Sequence, residues 1–571
     1  MRRLLLAALA ATLLVPAPAL AADAIMPLSE VQPGLRCTGL TVVRGLDVTS
    51  FDVEVLDVVD RARGPAAARI LVRVSGPAIE STGLGPGFSG SPVLCTGADG
   101  VPRNIGAISE TIGEYGGLTG LATPIEAVLS QPPVPPAATR ASAAAPVPSA
   151  VIGARSLAAP LTIAGLRPSL ARSFVQAARK AGRVMIASPA GTRAAFAPQP
   201  LVPGASVSVG LTSGDVALGA IGTIAYADGP NVWIYGHELD GAGRRSLFLQ
   251  DAYIHTIVNN PLAVPEVSTY KLGSPGNDLG TVSSDGPPAV VGTLGAMPPS
   301  YPLRVTAKDL DTGRTRSAIT QIADEGDVGL PTGASALSLT AAAAVAEEAA
   351  SILAGAPARQ SAELCMKVAL RELRTPMRVC WSYAVDGFTQ NALAGALAGD
   401  VAAAVEVIEG YKFGTLHPTS VELGLRVRRG VNQAYMLGVR APRVVRRGQT
   451  IALRLRLRRT GSGARSTRIV RMRVPPTVAK GLRTLRLIGT PSDAGANPEE
   501  EGDLSVVFEE EETGPSGDDP GAQSVAEVRD AFEGLERFDG VVARLGGEER
   551  TLLRDPRLRI SGDAQVRLRI R

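Results

Sequence analysis

The stretch Gly87-Phe88-Ser89-Gly90-Ser91-Pro92 governs how the rest of this chain is read. A serine between two glycines, followed by a small residue and a proline, is a compact way to present a hydroxyl on a tight turn. For a serine oxygen to attack a carbonyl it must face a cleft, and backbone N–H groups beside it must converge on the developing oxyanion. Gly87 can adopt backbone angles closed to other residues and so turn those N–H groups inward. Gly90 leaves no side chain over the hydroxyl. Ser89 is therefore a candidate nucleophile, with the N–H groups of Gly87 and Ser89 as oxyanion donors. Gly-Ser turns are common, so the assignment needs a base elsewhere in the chain.

Only three histidines are present, His237, His255 and His417, and histidine is the usual base near neutral pH. His237 follows the apolar run Val232-Trp233-Ile234-Tyr235 and precedes the polar turn Glu238-Leu239-Asp240-Gly241. That pattern places it at the end of a strand, where side chains face a cleft. His255 reads as part of a barrel wall, and His417, before Pro418, as a loop residue.

Together these segments resemble the SpoIVB peptidases, serine endopeptidases of the chymotrypsin-like clan. The resemblance covers residues 26–130 and 200–300. It runs through Met26-Pro27-Leu28-Ser29-Glu30, Gly39-Leu40-Thr41-Val42-Val43, Phe51-Asp52-Val53-Glu54-Val55-Leu56, Ala122-Thr123-Pro124-Ile125-Glu126 and Gly219-Ala220-Ile221-Gly222-Thr223-Ile224. It implies a chymotrypsin-like double β-barrel with Ser89 as nucleophile and His237 as general base. In that family the histidine precedes the serine. Here the order is inverted, as in a subgroup of large bacterial envelope proteins that the chain also resembles. Catalytic geometry does not depend on chain order. In the family the triad acid lies in an Asp-Pro step ahead of the serine, whereas the matching stretch here is Val74-Ser75-Gly76-Pro77, without a carboxylate. Asp240, Asp251 and Glu80 are the candidate replacements. The chain thus reads as a dyad enzyme, a triad enzyme with a relocated acid, or a silent peptidase-like protein.

The N-terminus reads as a signal peptide over residues 1–21: basic Met1-Arg2-Arg3, apolar Leu4 to Val15, and the small-x-small site Ala19-Leu20-Ala21. This places the protein outside the cytoplasm, secreted or periplasmic, in a bacterial envelope, and no later stretch reads as a membrane span. Four cysteines fit an oxidising compartment. The simplest of the three connectivities is Cys37–Cys95 with Cys365–Cys380. Chain entropy assigns about 4 kcal/mol to the longer loop and about 3 to the shorter. With no Cys-x-x-Cys pair and no histidine nearby, no metal site is read, and no cofactor is expected. The formal net charge of +4 over 571 residues, without any aromatic-basic module, argues against nucleic acid as partner. The resemblance implies a protein or peptide substrate, and the silent alternative implies an envelope partner.

The organisation predicted is mainly β with some α. A first peptidase segment (22–131) carrying Ser89 and a second (151–335) carrying His237 flank a Pro/Ala-rich linker (132–150). A helical region follows (336–418), with helices at Ala341 to Leu353, Ser361 to Leu373 and Thr389 to Ile408. An Ig-like β-sandwich is expected over 419–492, an acidic flexible stretch over 493–523, and a C-terminal α/β segment over 524–571. Within the sandwich, Ile451-Ala452-Leu453-Arg454-Leu455-Arg456-Leu457-Arg458 alternates with period two, one face aliphatic and the other mostly arginine. The leading expectation is an exported serine endopeptidase; the competing one is a silent barrel serving binding or assembly. Self-cleavage at the linker is a third.

Overall fold

The computed structural model describes residues 23–113, 117–135, 154–157, 160–182, 184–189, 196–259, 269–325, 335–354, 359–385, 392–490, 521–555 and 557–571. The expected signal peptide, most of the Pro/Ala-rich linker and nearly all of the acidic stretch lie outside these residues.

The chain is mainly β. Its first strands are β1 (Arg36–Thr41), β2 (Thr49–Val59), β3 (Arg69–Ser75), β4 (Pro92–Thr96), β5 (Pro102–Ile112) and β6 (Thr119–Pro124). These six close on themselves in the order β1-β2-β3-β6-β5-β4, with β4 pairing back to β1. Closure leaves no edge strand open. Inward-pointing Ile70, Val72 and Val74 of β3 meet Val53 and Val55 of β2 in the core. Cys37 and Cys95 stand directly opposite each other across β1 and β4 and form a disulfide. Helix α1 (Ile125–Ser130) and strand β7 (Ala154–Ser156), which pairs with β5, follow.

The next elements are β8 (Leu161–Ala164), α2 (Pro168–Lys180), β9 (Met185–Ala187), β10 (Ser206–Gly210), β11 (Thr212–Gly214), β12 (Ala217–Asp228), β13 (Asn231–Ile234), β14 (Gly243–Asn259), β15 (Thr269–Gly286) and β16 (Ala289–Leu294). Six of them close a second ring, β10-β12-β13-β16-β15-β14, and β8 with β9 extends it from β12. Numbered within each ring, both barrels follow the order 1-2-3-6-5-4.

A mixed sheet comes next: β17 (Ser300–Asp309), β18 (Thr315–Ala323), helix α3 (Ala336–Ile352), β19 (Gln360–Leu370), β20 (Met377–Val385), helix α4 (Ala392–Glu409) and β21 (Pro418–Arg428). Its strands run β11-β18-β17-β21-β19-β20 beneath the two alanine-rich helices. Ser335 caps α3 by accepting from the Ser338 N–H. The helix expected over Ser361 to Leu373 is instead strand β19. Ala362, Leu364, Met366, Val368 and Leu370 are all buried, a period of two that outweighs the helix propensity of Ala, Leu, Met, Glu and Lys. Cys365 and Cys380 are accordingly cross-strand partners, joined by the second disulfide.

The last elements are β22 (Gln433–Arg440), β23 (Val444–Val445), β24 (Thr450–Arg459), β25 (Arg465–Arg473), β26 (Gly481–Thr490), α5 (Val525–Gly534), β27 (Gly540–Leu545), β28 (Glu548–Arg554), β29 (Arg559–Ser561) and β30 (Asp563–Ile570). They make a two-sheet sandwich, β25-β24-β22-β29 against β23-β30-β26-β27-β28, around one aliphatic core. The sequence reading set the C-terminal strands apart and gave β21 to the sandwich. In the fold, β27 to β30 complete the sandwich, and β21 pairs with β17 and β19.

The two disulfides are the bonds of an oxidising compartment, and among the described residues no helix is long and apolar enough to cross a membrane. Both facts are compatible with a secreted or envelope protein.

Candidate functional site

Ser89 lies between β3 and β4 of the first barrel, and His237 between β13 and β14 of the second. Each sits between the third and fourth strand of its ring. The two turns meet where the barrels touch. The Thr223 N–H donates to the Ser89 carbonyl at 3.0 Å, and the Tyr235 N–H points back to the Thr223 carbonyl at 3.4 Å. Gly90 packs so closely here that a Cβ would fall 2.0 Å from the Thr223 carbonyl oxygen and 2.7 Å from the Tyr235 nitrogen.

The serine turn depends on its glycines. Gly87 and Gly90 have φ of +94° and +89°, in the region that side chains disfavour. The Gly90 N–H donates to Ile108 at 2.8 Å, which pins the turn to β5. Among the described residues, neither the Gly87 nor the Ser89 N–H donates to a protein acceptor, and the Ser89 hydroxyl is fully buried without a partner.

The second barrel supports that turn from behind. The Lys271 N–H of β15 donates to the Pro86 carbonyl at 2.9 Å. In a trans peptide the next N–H, that of Gly87, then points away from β15. The Lys271 ammonium reaches Thr41 Oγ1 at 2.7 Å and Thr223 Oγ1 at 3.0 Å, and lies 5.0 Å from the Phe88 ring centroid. Thr223 in turn donates to the Gly87 carbonyl at 2.9 Å. Burial pushes the Lys271 amine down to about 7. Sequence reading passed over Lys271, because a lone lysine in a strand carries no signal of where its amine ends.

The histidine turn is reached through strain. Tyr235 and Gly236 both have positive φ, +69° and +72°, and a left-handed tyrosine costs roughly 1–3 kcal/mol. Its hydroxyl donates to Ala220 at 2.8 Å, and its ring fills the space left by Gly222 and stacks on His237 with centroids 5.4 Å apart. The first barrel holds this turn in its own way: Thr123 Oγ1 donates to the Gly236 carbonyl at 2.6 Å.

His237 Nδ1 donates to the Glu238 carbonyl at 2.6 Å, which fixes the tautomer and leaves the Nε2 lone pair free. Nε2 is buried and has no partner among the described residues. Burial lowers the His237 pKa, against the Glu238 carbonyl bond and the Glu238 and Glu110 charges. The imidazole is therefore neutral near pH 7.

Neither Asp240 nor Asp251 bonds to His237. Asp240 pairs with Arg245 at 2.7 Å. Asp251 accepts from the Gln199 N–H at 2.8 Å and from Asn277. Glu80 is exposed. The carboxylate that organises the histidine turn is one that sequence reading missed, Asp285 at the end of β15. It is fully buried and accepts from the N–H groups of Leu239 (2.8 Å), Asp240 (3.1 Å) and Gly241 (3.0 Å). The Leu239 N–H belongs to the same peptide unit whose carbonyl receives His237 Nδ1–H. Asp285 and His237 thus sit on opposite ends of one peptide group. Burial, with the Asp240 contact, raises the Asp285 pKa, while Arg245 opposes the rise.

His255 bonds Ser274 at 2.8 Å in the barrel wall, and His417 pairs with Glu372 at 2.7 Å. Among the described residues no three His, Cys, Asp or Glu side chains converge as metal ligands would. Compared with family models, curated proteins and solved structures, the chain finds no match.

Proposed function

We propose that the chain is an exported serine endopeptidase of SpoIVB type, with the two rings as a chymotrypsin-like barrel pair and the sandwich as an Ig-like accessory module. One observation carries this reading. A buried, unpartnered serine hydroxyl and a buried, unpartnered imidazole nitrogen occur on two turns in direct backbone contact, with two unengaged N–H groups beside the serine. Buried polar atoms without partners are costly; Ser89 Oγ and His237 Nε2 do not bond each other in this structure, so the proposed proton transfer requires the two turns to close on one another.

In this mechanism the Ser89 oxygen attacks a peptide carbonyl while His237 Nε2 takes its proton. The Gly87 and Ser89 N–H groups receive the oxyanion. His237 then returns the proton to the leaving amine, and water repeats the sequence to release the acyl group. The Glu238 carbonyl holds the ring in the tautomer that a triad carboxylate would impose. Asp285 holds that carbonyl through the peptide. A backbone carbonyl stabilises imidazolium less than a carboxylate does, so the base is weaker than in a full triad. Substrate entry requires the cover over Ser89 to move, because the hydroxyl is sealed from solvent.

That seal favours a second reading, a silent barrel used for binding or assembly in the envelope. Fluorophosphonate labelling separates the two. Labelling of the wild-type chain that is lost in both Ser89→Ala and His237→Ala is expected for the peptidase. No labelling of a folded, disulfide-bonded sample points to a silent or gated barrel and overturns an open, active peptidase.

A further inference from the structure

The two sheets of the sandwich differ in how many of their arginines are paired: on the five-stranded sheet Arg567 and Arg569 of β30 have no carboxylate partner among the described residues, but others do. On the five-stranded sheet, Arg486 pairs with Asp563 at 3.3 Å, Arg544 with Glu549 at 2.5 Å and Arg550 with Glu548 at 3.4 Å. On the four-stranded sheet, β24 buries Ile451, Leu453, Leu455 and Leu457 and exposes Arg454, Arg456 and Arg458. The register sets Arg440 opposite Arg454, Arg465 opposite Arg458, Arg471 opposite Ala452 and Arg473 opposite Thr450. Directly opposed residues share a face, so seven arginines stand on one outer surface. Strands β22, β24 and β25 contain no Asp or Glu. Among the described residues, none of the seven has a carboxylate partner.

Two of these cross-strand pairs, Arg440 with Arg454 and Arg458 with Arg465, oppose like charges, which destabilises a sheet. The fold retains them together with exposed apolar side chains. Tyr435, opposite Arg458, is 51% exposed, and Ile469, opposite Arg454, is 62% exposed. A soluble polyanion would need only the charge. A lipid interface uses both, because phosphates meet the guanidinium groups while tyrosine and isoleucine enter the headgroup–acyl boundary.

We propose that the outer face of β22, β24 and β25 docks on a membrane surface rich in anionic lipid. The proposal does not depend on the peptidase reading. Flotation of the chain with phosphatidylcholine vesicles, with and without phosphatidylglycerol, tests it. Binding is expected only with phosphatidylglycerol and weakens as salt rises. The variant Arg454→Thr/Arg456→Thr/Arg458→Thr is expected to lose about a hundredfold in vesicle affinity. Arg471→Thr/Arg473→Thr, on the neighbouring strand, moves the same way should the triple variant fail to fold. Arg486→Thr/Arg544→Thr, on the salt-bridged sheet, leaves binding unchanged. Tyr435→Ser/Ile469→Thr is expected to lose about tenfold on vesicles while binding of dextran sulfate is unaltered. Three results overturn the proposal: no preference for phosphatidylglycerol; full vesicle binding by Tyr435→Ser/Ile469→Thr, which makes the face a polyanion site; or binding that appears only after Glu499, Glu500, Glu501, Glu509, Glu510, Glu511 and Glu512 are changed to Gln, which makes this chain's own acidic stretch the occupant.

Discussion

The two barrels share one strand order and place their candidate reactive residues at the same step, between the third and fourth strand. They differ in how that step is built. The first uses glycines with positive φ on either side of Ser89. The second forces Tyr235 into the left-handed region and holds it there through the Ala220 carbonyl and the space beside Gly222. Each turn is held partly by its own barrel, through the Ile108 carbonyl for the serine turn and Asp285 for the histidine turn, and partly by the opposite one. Lys271 and Thr223 of the second barrel brace the serine turn, and Thr123 of the first braces the histidine turn. A site made this way exists only while the barrels stay docked.

For the proposed peptidase, the largest effect is expected from the candidate pair itself. Ser89→Ala and His237→Ala are each expected to reduce peptide hydrolysis by about 10⁴-fold or more, and the double variant to be no worse than either single one. Additive losses would mean that the two turns do not act as one unit.

Next in size is the buried amine. The Lys271 pKa is about 7 in the fold against 10.5 for the free side chain. As pH falls from 10.5 to 7, the unfolded chain takes up a proton that the folded chain does not, so stability declines across that window and is level below it. Lys271→Met should remove this slope, stabilising the fold near pH 7 by on the order of a few kcal/mol and by little at pH 10. Urea unfolding followed through Trp233 in a Trp381→Phe background reads it. The same slope in wild type and variant would place the amine in water. The variant also tests the brace: it should lower kcat, because Thr223 loses the ammonium that orients its hydroxyl toward Gly87.

Asp285 comes third. Asp285→Ala frees three N–H groups of the histidine turn. It is expected to cost about 10- to 100-fold in kcat with KM unchanged, less than the loss of about 10⁴ seen when a directly bonded triad carboxylate is disabled. A loss as large as that of His237→Ala would mean that the carboxylate meets the imidazole directly during turnover.

These differences also explain what the sequence disclosed. Ser89 stood out because a turn built on glycine writes itself into the string. His237 stood out because histidines are few, but its left-handed approach did not, since nothing in Ile234-Tyr235-Gly236 marks the tyrosine as strained. Both disulfides were legible from the cysteine count and spacing. Asp285 was not, lying 46 residues beyond the Leu239 it holds, on another strand. Strand β19 reads as a helix because local propensity hides its period of two, and the sandwich is cut short because its later strands return only after the acidic stretch. Contacts within a turn are local chemistry; contacts that a second barrel supplies are topology, and no window of residues contains them.

Thr123 provides the smallest test and the one most specific to docking. Its hydroxyl crosses from the first barrel to the Gly236 carbonyl, one residue before His237. Thr123→Val keeps the shape and removes the donor, leaving a buried carbonyl short of a partner at a cost of about 1–3 kcal/mol. Because Gly236 sets the direction of the histidine, part of that cost should appear as misplacement of the imidazole, with kcat lower by about three- to tenfold and KM unchanged. Thr123→Ser restores the hydroxyl and should restore the rate. If Val at this position lowers the unfolding midpoint without touching kcat, the bond fastens the barrels together but does not aim the base. The strained tyrosine and the peptide that Asp285 holds would then share that task.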